Sequence, residues 1–378
     1  MNPGYTRRKL LQASGAALVA PMINLGIFRE ATAAATYSRR TLDLLQHSPV
    51  IDMLGALRGD LDHMSPAWLE PLDEQARAEF RGSALGVIHQ SDGVGGPDAY
   101  EKALAYLAAC SGFVGRNPEI FLLASKVADF DRARAEGRIA VFVGIQNAEH
   151  FRSVQDVQAF YGLGLRCAQL TYNRQNLVGA GCTERVDGGV TDFGAEIIGK
   201  MNEIGMLVDV SHCGDRTTLD AIEISKRPIA ITHSNCRALN NHPRLKTDEA
   251  ISKLAAKGGV MGITGVRNFV RDAEPTTIEH IVDHIDHVVK LVGIEHVGIG
   301  TDSDLHGADD LPREQLKRGL SQYKASMAFR DKLDTDGFDD PRRFFNLTEA
   351  LIRRGYRDDH IEAVLGGNFK RLLAAVQG

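Results

Sequence analysis

Eight short apolar runs rich in β-branched residues recur along this chain, each separated from the next by a segment long enough for a helix. They fall at 49–52, 84–89, 139–146, 167–172, 206–212, 229–233, 259–264 and 296–302. Near-continuous apolar character, rather than strict alternation, is what a strand buried on both faces requires, and it marks parallel sheets covered by helices. The segments between carry explicit helix starts and stops. Thr191-Asp192 opens a helix with Phe193, Ile197, Met201 and Ile204 on one stripe and Gly205 at its end; Asp215 opens another that closes before Pro228; Thr247-Asp248 opens a third that ends at Gly258-Gly259. Strand then helix, eight times over, predicts an α/β chain folded as a (β/α)8 TIM barrel, with extra C-terminal helices after about residue 310 joining the outer layer. The competing doubly wound sheet wants a Gly-rich phosphate loop after an early strand, and none is present.

No linker or shift of composition divides the body, so residues 36–378 are expected to form one domain. The first 35 residues read as a twin-arginine export signal, with Arg7-Arg8 ahead of a short, moderately apolar stretch and small residues at Ala31-Thr32-Ala33-Ala34-Ala35 for cleavage. That predicts a periplasmic or otherwise exported protein. The net charge is −5, with no basic cluster in the body, which argues against nucleic-acid or anionic-membrane partners. No internal run is apolar enough for an integral membrane span. The five cysteines, Cys110, Cys167, Cys182, Cys213 and Cys236, form no Cys-x-x-Cys pair, so a disulfide framework is not indicated. Cys213 beside His212 is expected to be buried packing rather than a ligand.

In a (β/α)8 barrel the active site lies at the C-terminal strand ends. There the sequence places Asp52, Gln146, Tyr172-Asn173, His212, His233 and Asp302. Two histidines and a carboxylate on one rim can hold a divalent metal: neutral imidazoles donate, and the aspartate binds the ion or takes a proton from its water. His280, His284 and His287 also recur at helical spacing, but the Glu of His-Glu-x-x-His is missing, so a solvated or barrel-facing helix stripe is expected.

Several long stretches resemble the membrane (renal-type) dipeptidase family of the amidohydrolase superfamily. They are Val-Asp-Val-Ser-His-Cys at 208–213, Ile-Thr-His-Ser-Asn-Cys-Arg-Ala-Leu at 231–239, His-Pro-Arg at 242–244, Gly-Gly-Val-Met-Gly at 258–262, His-Val-Gly-Ile-Gly-Thr-Asp at 296–302 and Leu-Gly-Gly-Asn-Phe at 365–369. The resemblance implies a metal-dependent hydrolase acting on a dipeptide or a related small amide, commonly a homodimer. It implies that His212 and His233 hold one zinc, that Asp302 transfers protons, and that Arg244 grips the substrate's carboxylate, a task suited to a planar fork of donors. Tyr172 and Asn173 are expected to line the substrate site.

The departures from the pattern define a divergent member. The His-x-Asp pair that binds the second zinc is replaced by Leu54 and Ala56, the bridging glutamate by Gln146, and the histidine that polarises the substrate by Tyr172. An amide oxygen can still bind one cation weakly but cannot bridge two as a carboxylate does. Asp60, Asp62 and His63 stand too far past the strand end to serve as natural replacements. The expectation is one zinc held by His212, His233 and Gln146. A ligand-binding pseudoenzyme, and an acid–base enzyme for elimination or isomerisation, stand as the other readings.

Overall fold

The computed structural model describes residues 37–59, 65–309, 311 and 313–378. The export signal expected at 1–35, and Asp60, Asp62 and His63, lie outside the described residues. Nine strands form one parallel sheet: β1 Ile51–Gly55, β2 Val87–Asp92, β3 Phe121–Ala124, β4 Ile139–Ile145, β5 Cys167–Gln169, β6 Leu207–Asp209, β7 Ala230–Ser234, β8 Val260–Ile263 and β9 Val297–Ile299. Eight of them run in the order β1-β2-β4-β5-β6-β7-β8-β9 around a nearly closed barrel. Past the strand ends, the Asp302 amide donates to Leu54 O (2.9 Å) and the Ala56 amide to Ser303 O (3.0 Å), which ties β9 back to β1.

The eight expected strands are the eight barrel strands. The ninth, β3, was not expected. It pairs with the first half of β4, from Phe121 opposite Ile139 to Ala124 opposite Phe142, while β5 takes over the same edge at Gly144 and Ile145. The end of β1 also differs from expectation. β1 continues to Gly55, so Asp52 lies inside it, nearly fully buried, with Oδ1 accepting from the Thr301 amide (2.9 Å) and Oδ2 from Thr301 Oγ1 (2.6 Å). Asp52 therefore ties β1 to the end of β9 rather than facing the rim, and Leu54 and Ala56 stand at the strand end instead.

The helix boundaries follow the caps read from the sequence. Thr191 accepts from the Gly194 amide at the start of Asp192–Ile204, and Gly205 ends that helix with φ +76. Thr247 caps Asp248–Ala256 in the same way. The last helix departs from expectation. Asn368–Gln377 does not join the outer layer but lies under the barrel. Its Phe369, Leu372, Leu373 and Val376 pack with the inward-facing Ile51, Val87, Phe142, Leu207, Ala230 and Val260. A barrel interior is a packed core and its open end needs a plug. This one is supplied by the chain's own C-terminus. No helix among the described residues is long and apolar enough to cross a membrane.

Candidate metal and catalytic site

At the opposite end, β6 and β7 deliver the two histidines. His212 sits in the turn just past β6, where the Cys213 amide bonds back to Val210 O (3.1 Å). His233 lies within β7, whose register with β8 shifts between Ile231 and Ser234. Such irregularities re-aim side chains next to functional sites. The segment that follows β7 then locks the two strand ends together. Arg244, fully buried, donates from Nη1 to Ser211 O (2.5 Å) and from Nη2 to His233 O (2.8 Å). Lys246, also buried, donates from Nζ to Val210 O (2.7 Å), Cys213 O (2.9 Å) and Thr218 Oγ1 (2.9 Å). Two cations without carboxylate partners thus bond mainly to main-chain oxygens, and that fixes the two turns side by side.

The result is a pair of imidazoles facing each other. His212 Nε2 and His233 Nε2 are 2.9 Å apart. Hydrogen bonding on the far side of each ring settles which nitrogen carries the proton. His212 Nδ1 stands 2.7 Å from Asn173 Oδ1, an acceptor. His233 Nδ1 stands 2.8 Å from Thr232 Oγ1, which donates its own proton to Asp209 Oδ2 (2.7 Å) and so can only accept. Both Nδ1 atoms are therefore protonated and both Nε2 atoms present lone pairs. Burial, reinforced by Arg244, holds both imidazoles well below the usual histidine range, so neither carries a second proton. Two facing lone pairs repel unless a cation lies between them. Nitrogens sharing a tetrahedral zinc stand about 3.3 Å apart, close to the separation seen. The pair fits a metal.

Around the pair, Asp302 brings Oδ1 to 3.9 Å from His233 Nε2. It adopts φ +60, a left-handed conformation that turns the chain abruptly after β9. Burial raises its carboxyl to about 6, with Arg244 pulling the other way. Gln146 is buried at 7% exposure; its Nε2 donates to Ser91 O (3.1 Å) and its Oε1 has no partner. That orphaned acceptor can bind a cation; among the described residues Gln169, at the end of β5, also carries a buried amide oxygen with no partner. Among the described residues no trio of His, Cys, Asp or Glu closes into a metal cage, so an ion's grip rests on the histidine pair.

The other expected site residues have defined places. Tyr172 stacks on His212, with ring centroids 4.2 Å apart and planes at 21°. Asn173, at φ +60, holds His212 from behind through Oδ1 and so reaches the site through that ring. Arg244 is occupied by Ser211 O and His233 O, and its Nε alone lacks a partner. The histidine stripe on the helix Ile278–Val292 is structural: His284 accepts from the Cys236 amide (3.2 Å), His287 pairs with Asp248 (2.8 Å), and His280 caps the helix start. Cys213 is buried, taking a hydrogen bond from Thr171 Oγ1 (3.3 Å).

Two features escaped sequence reasoning. Tyr323, from the C-terminal segment, brings its hydroxyl to 2.7 Å from Tyr172 Oη. Nothing in Gln322-Tyr323-Lys324 signals it. The two phenols stand between a chamber of about 210 Å³, lined by Leu54, Ala56, Gln146 and Asp302, and an outer cleft of about 520 Å³ that carries Arg174 and Lys324. The second feature is Asp209, whose signal was a lone carboxylate inside an apolar strand.

A family model described as membrane dipeptidase (peptidase family M19) matches residues 38–323. Dipeptidase verJ of Clonostachys rogersoniana is 33% identical over 244 residues, 64% of this chain and 56% of its own. An uncharacterized dipeptidase of Schizosaccharomyces pombe is 35% identical over 179 residues, 45% of this chain and 43% of its own. The chain thus spans about half the length of the curated relatives it matches. An amidohydrolase from Pseudomonas aeruginosa superimposes with TM-score 0.77 at 29% identity, covering 89% of this chain and 99% of the other.

Proposed function

Because the chain belongs to the membrane dipeptidase family, we propose that it hydrolyses a dipeptide or related small amide with one zinc ion rather than two. The observation that carries this reading is the His212–His233 pair, with two lone pairs converging at 2.9 Å. His212, His233 and the orphaned Oε1 of Gln146 would hold the ion. When bound, it polarises the scissile carbonyl and eases loss of a proton from water.

The chain's own groups do the rest. Asp302 takes the proton from the attacking water and returns it to the leaving amine. A carboxyl raised to about 6 by burial is close to neutral pH, as a base that must later act as an acid requires. In the Tyr172–Tyr323 pair one hydroxyl donates to the other, which leaves one phenolic proton for the substrate's developing oxyanion. Tyr172 thereby takes over a role that a histidine has in the family pattern. Arg244 holds the two histidine-bearing turns together, so a substrate carboxylate has only its Nε to meet. The cations of the outer cleft, Arg174 and Lys324, offer that carboxylate a second partner.

Export through the twin-arginine segment and assembly as a homodimer complete the proposal. Replacing Arg7-Arg8 with Lys-Lys should retain the protein in the cytoplasm, as read by cell fractionation. Light scattering of the purified protein tests the dimer. One observation favours a second reading, a ligand-binding protein without turnover: Leu54, Ala56 and Gln146 fill three positions where the family pattern has ligands. Incubation of zinc-reconstituted protein with a dipeptide panel separates the two. Zinc-dependent release of amino acids supports hydrolysis; saturable binding with no product supports the second reading.

A further inference from the structure

We propose that Asp209 is a positioning residue that acts through Thr232 to lock His233 in its Nδ1-protonated form and to supply the negative charge that the ion's direct donors lack. The inference rests on the one-metal reading for its consequence but not for its geometry. Asp209 is 1% exposed at the end of β6, and four groups donate to it: Ser211 N (3.0 Å), Ser211 Oγ (2.6 Å), Thr232 N (3.0 Å) and Thr232 Oγ1 (2.7 Å). Three of these bonds fall on Oδ1 and the fourth, from Thr232 Oγ1, on Oδ2, so donors from both histidine-bearing segments converge on one carboxylate.

The two hydroxyl bonds have a directional consequence. Ser211 Oγ and Thr232 Oγ1 lie 3.2 Å apart, but both protons point at Asp209, so neither hydroxyl donates to the other. Each is left as an acceptor. Ser211 Oγ takes the His233 backbone amide (3.1 Å), and Thr232 Oγ1 takes His233 Nδ1–H (2.8 Å). The carboxylate's charge therefore reaches the imidazole through one hydroxyl, which makes Nε2 a stronger donor. Partners of this kind behind metal-binding histidines tune affinity by about 10–100-fold. His212 has only a neutral amide, Asn173, behind it. With Gln146 where the family pattern has a carboxylate, the three direct donors are all uncharged, and Asp209 is the buried anion joined to one of them through hydrogen bonds.

Nitrogen-15 NMR of the metal-free full chain reads the tautomers directly. Wild type should show His233 protonated at Nδ1. Thr232→Val should mix or reverse the His233 tautomer while leaving His212 unchanged, and zinc titration calorimetry should show affinity falling about 10–100-fold. Thr232→Ser should restore both. The wild-type spectrum keeps the test decisive if Thr232→Val does not fold: His233 protonated at Nε2 overturns the proposal outright. So does a Thr232→Val protein with an unchanged tautomer and unchanged zinc affinity. Locked tautomers in a wild-type protein that binds zinc but cleaves no dipeptide would sink the hydrolase reading and leave the relay standing.

Discussion

The two sides of the barrel rim differ in how completely their polar atoms are used. On the β6–β7 side, Asn173, Thr232 and Asp209 fix both histidine rings, while Arg244 and Lys246 bind the four main-chain oxygens of residues 210, 211, 213 and 233. On the β1–β4 side the rim presents Leu54, Ala56 and an amide whose oxygen has no partner, beside open space of about 210 Å³. One side is built to present lone pairs to a cation. The other presents packing and room. The order of the histidine side is maintained by hydrogen bonds lying behind it and asks nothing of the residues at Leu54, Ala56 and Gln146.

The sharpest test of that contrast is to damage the ordered side. His233→Ala should abolish zinc binding and with it turnover, since the remaining direct donors are one imidazole and one amide. Retained tight zinc binding would mean the ion sits elsewhere. Asp302→Asn should lower kcat by about 10²–10⁴-fold while leaving zinc content unchanged, because its amide cannot accept the proton. An equal loss of zinc would move Asp302 into the ion's shell.

The other side can be rebuilt rather than broken. Leu54→His, Ala56→Asp and Gln146→Glu together should raise zinc from one equivalent to two, measured by elemental analysis. If only one equivalent binds, those three side chains are not sufficient to make a second metal position on that side. Leu54→Ala should act on folding alone. A nearly buried leucine beside a cavity should cost about 2–3 kcal/mol in denaturant unfolding, with kcat retained. The smallest effect concerns Asp52, which joins β1 to β9 beneath that side. Burial raises its carboxyl from 3.8 to about 7. Its contribution to stability is therefore full below about pH 4 and lost as pH rises through about 7. Asp52→Asn should flatten that part of the stability profile.

Most of the barrel was legible because parallel strands buried on both faces leave continuous β-branched runs, and because Thr191, Gly205 and Thr247 mark helix ends chemically. β3 was not, since Phe-Leu-Leu-Ala is too short an apolar run to distinguish from part of a neighbouring helix. The plug formed by Asn368–Gln377 was misplaced for a related reason: a helical stripe says which face is buried but not against what. In the site, His212 and His233 could be read from their place at strand ends. The task of Arg244 could not. Whether a guanidinium meets a substrate or a pair of carbonyls depends on how the 235–246 segment folds back over β6 and β7. Tyr323 reaches Tyr172 across 151 positions of sequence, and no local pattern records such a meeting.

The proposed mechanism needs one metal position per chain where the family pattern has two. Elemental analysis of the purified full chain, reconstituted with zinc and freed of excess, tests it most directly. The expected result is one zinc per chain, lost in His233→Ala. Two zinc ions per wild-type chain, or none above background, would contradict it.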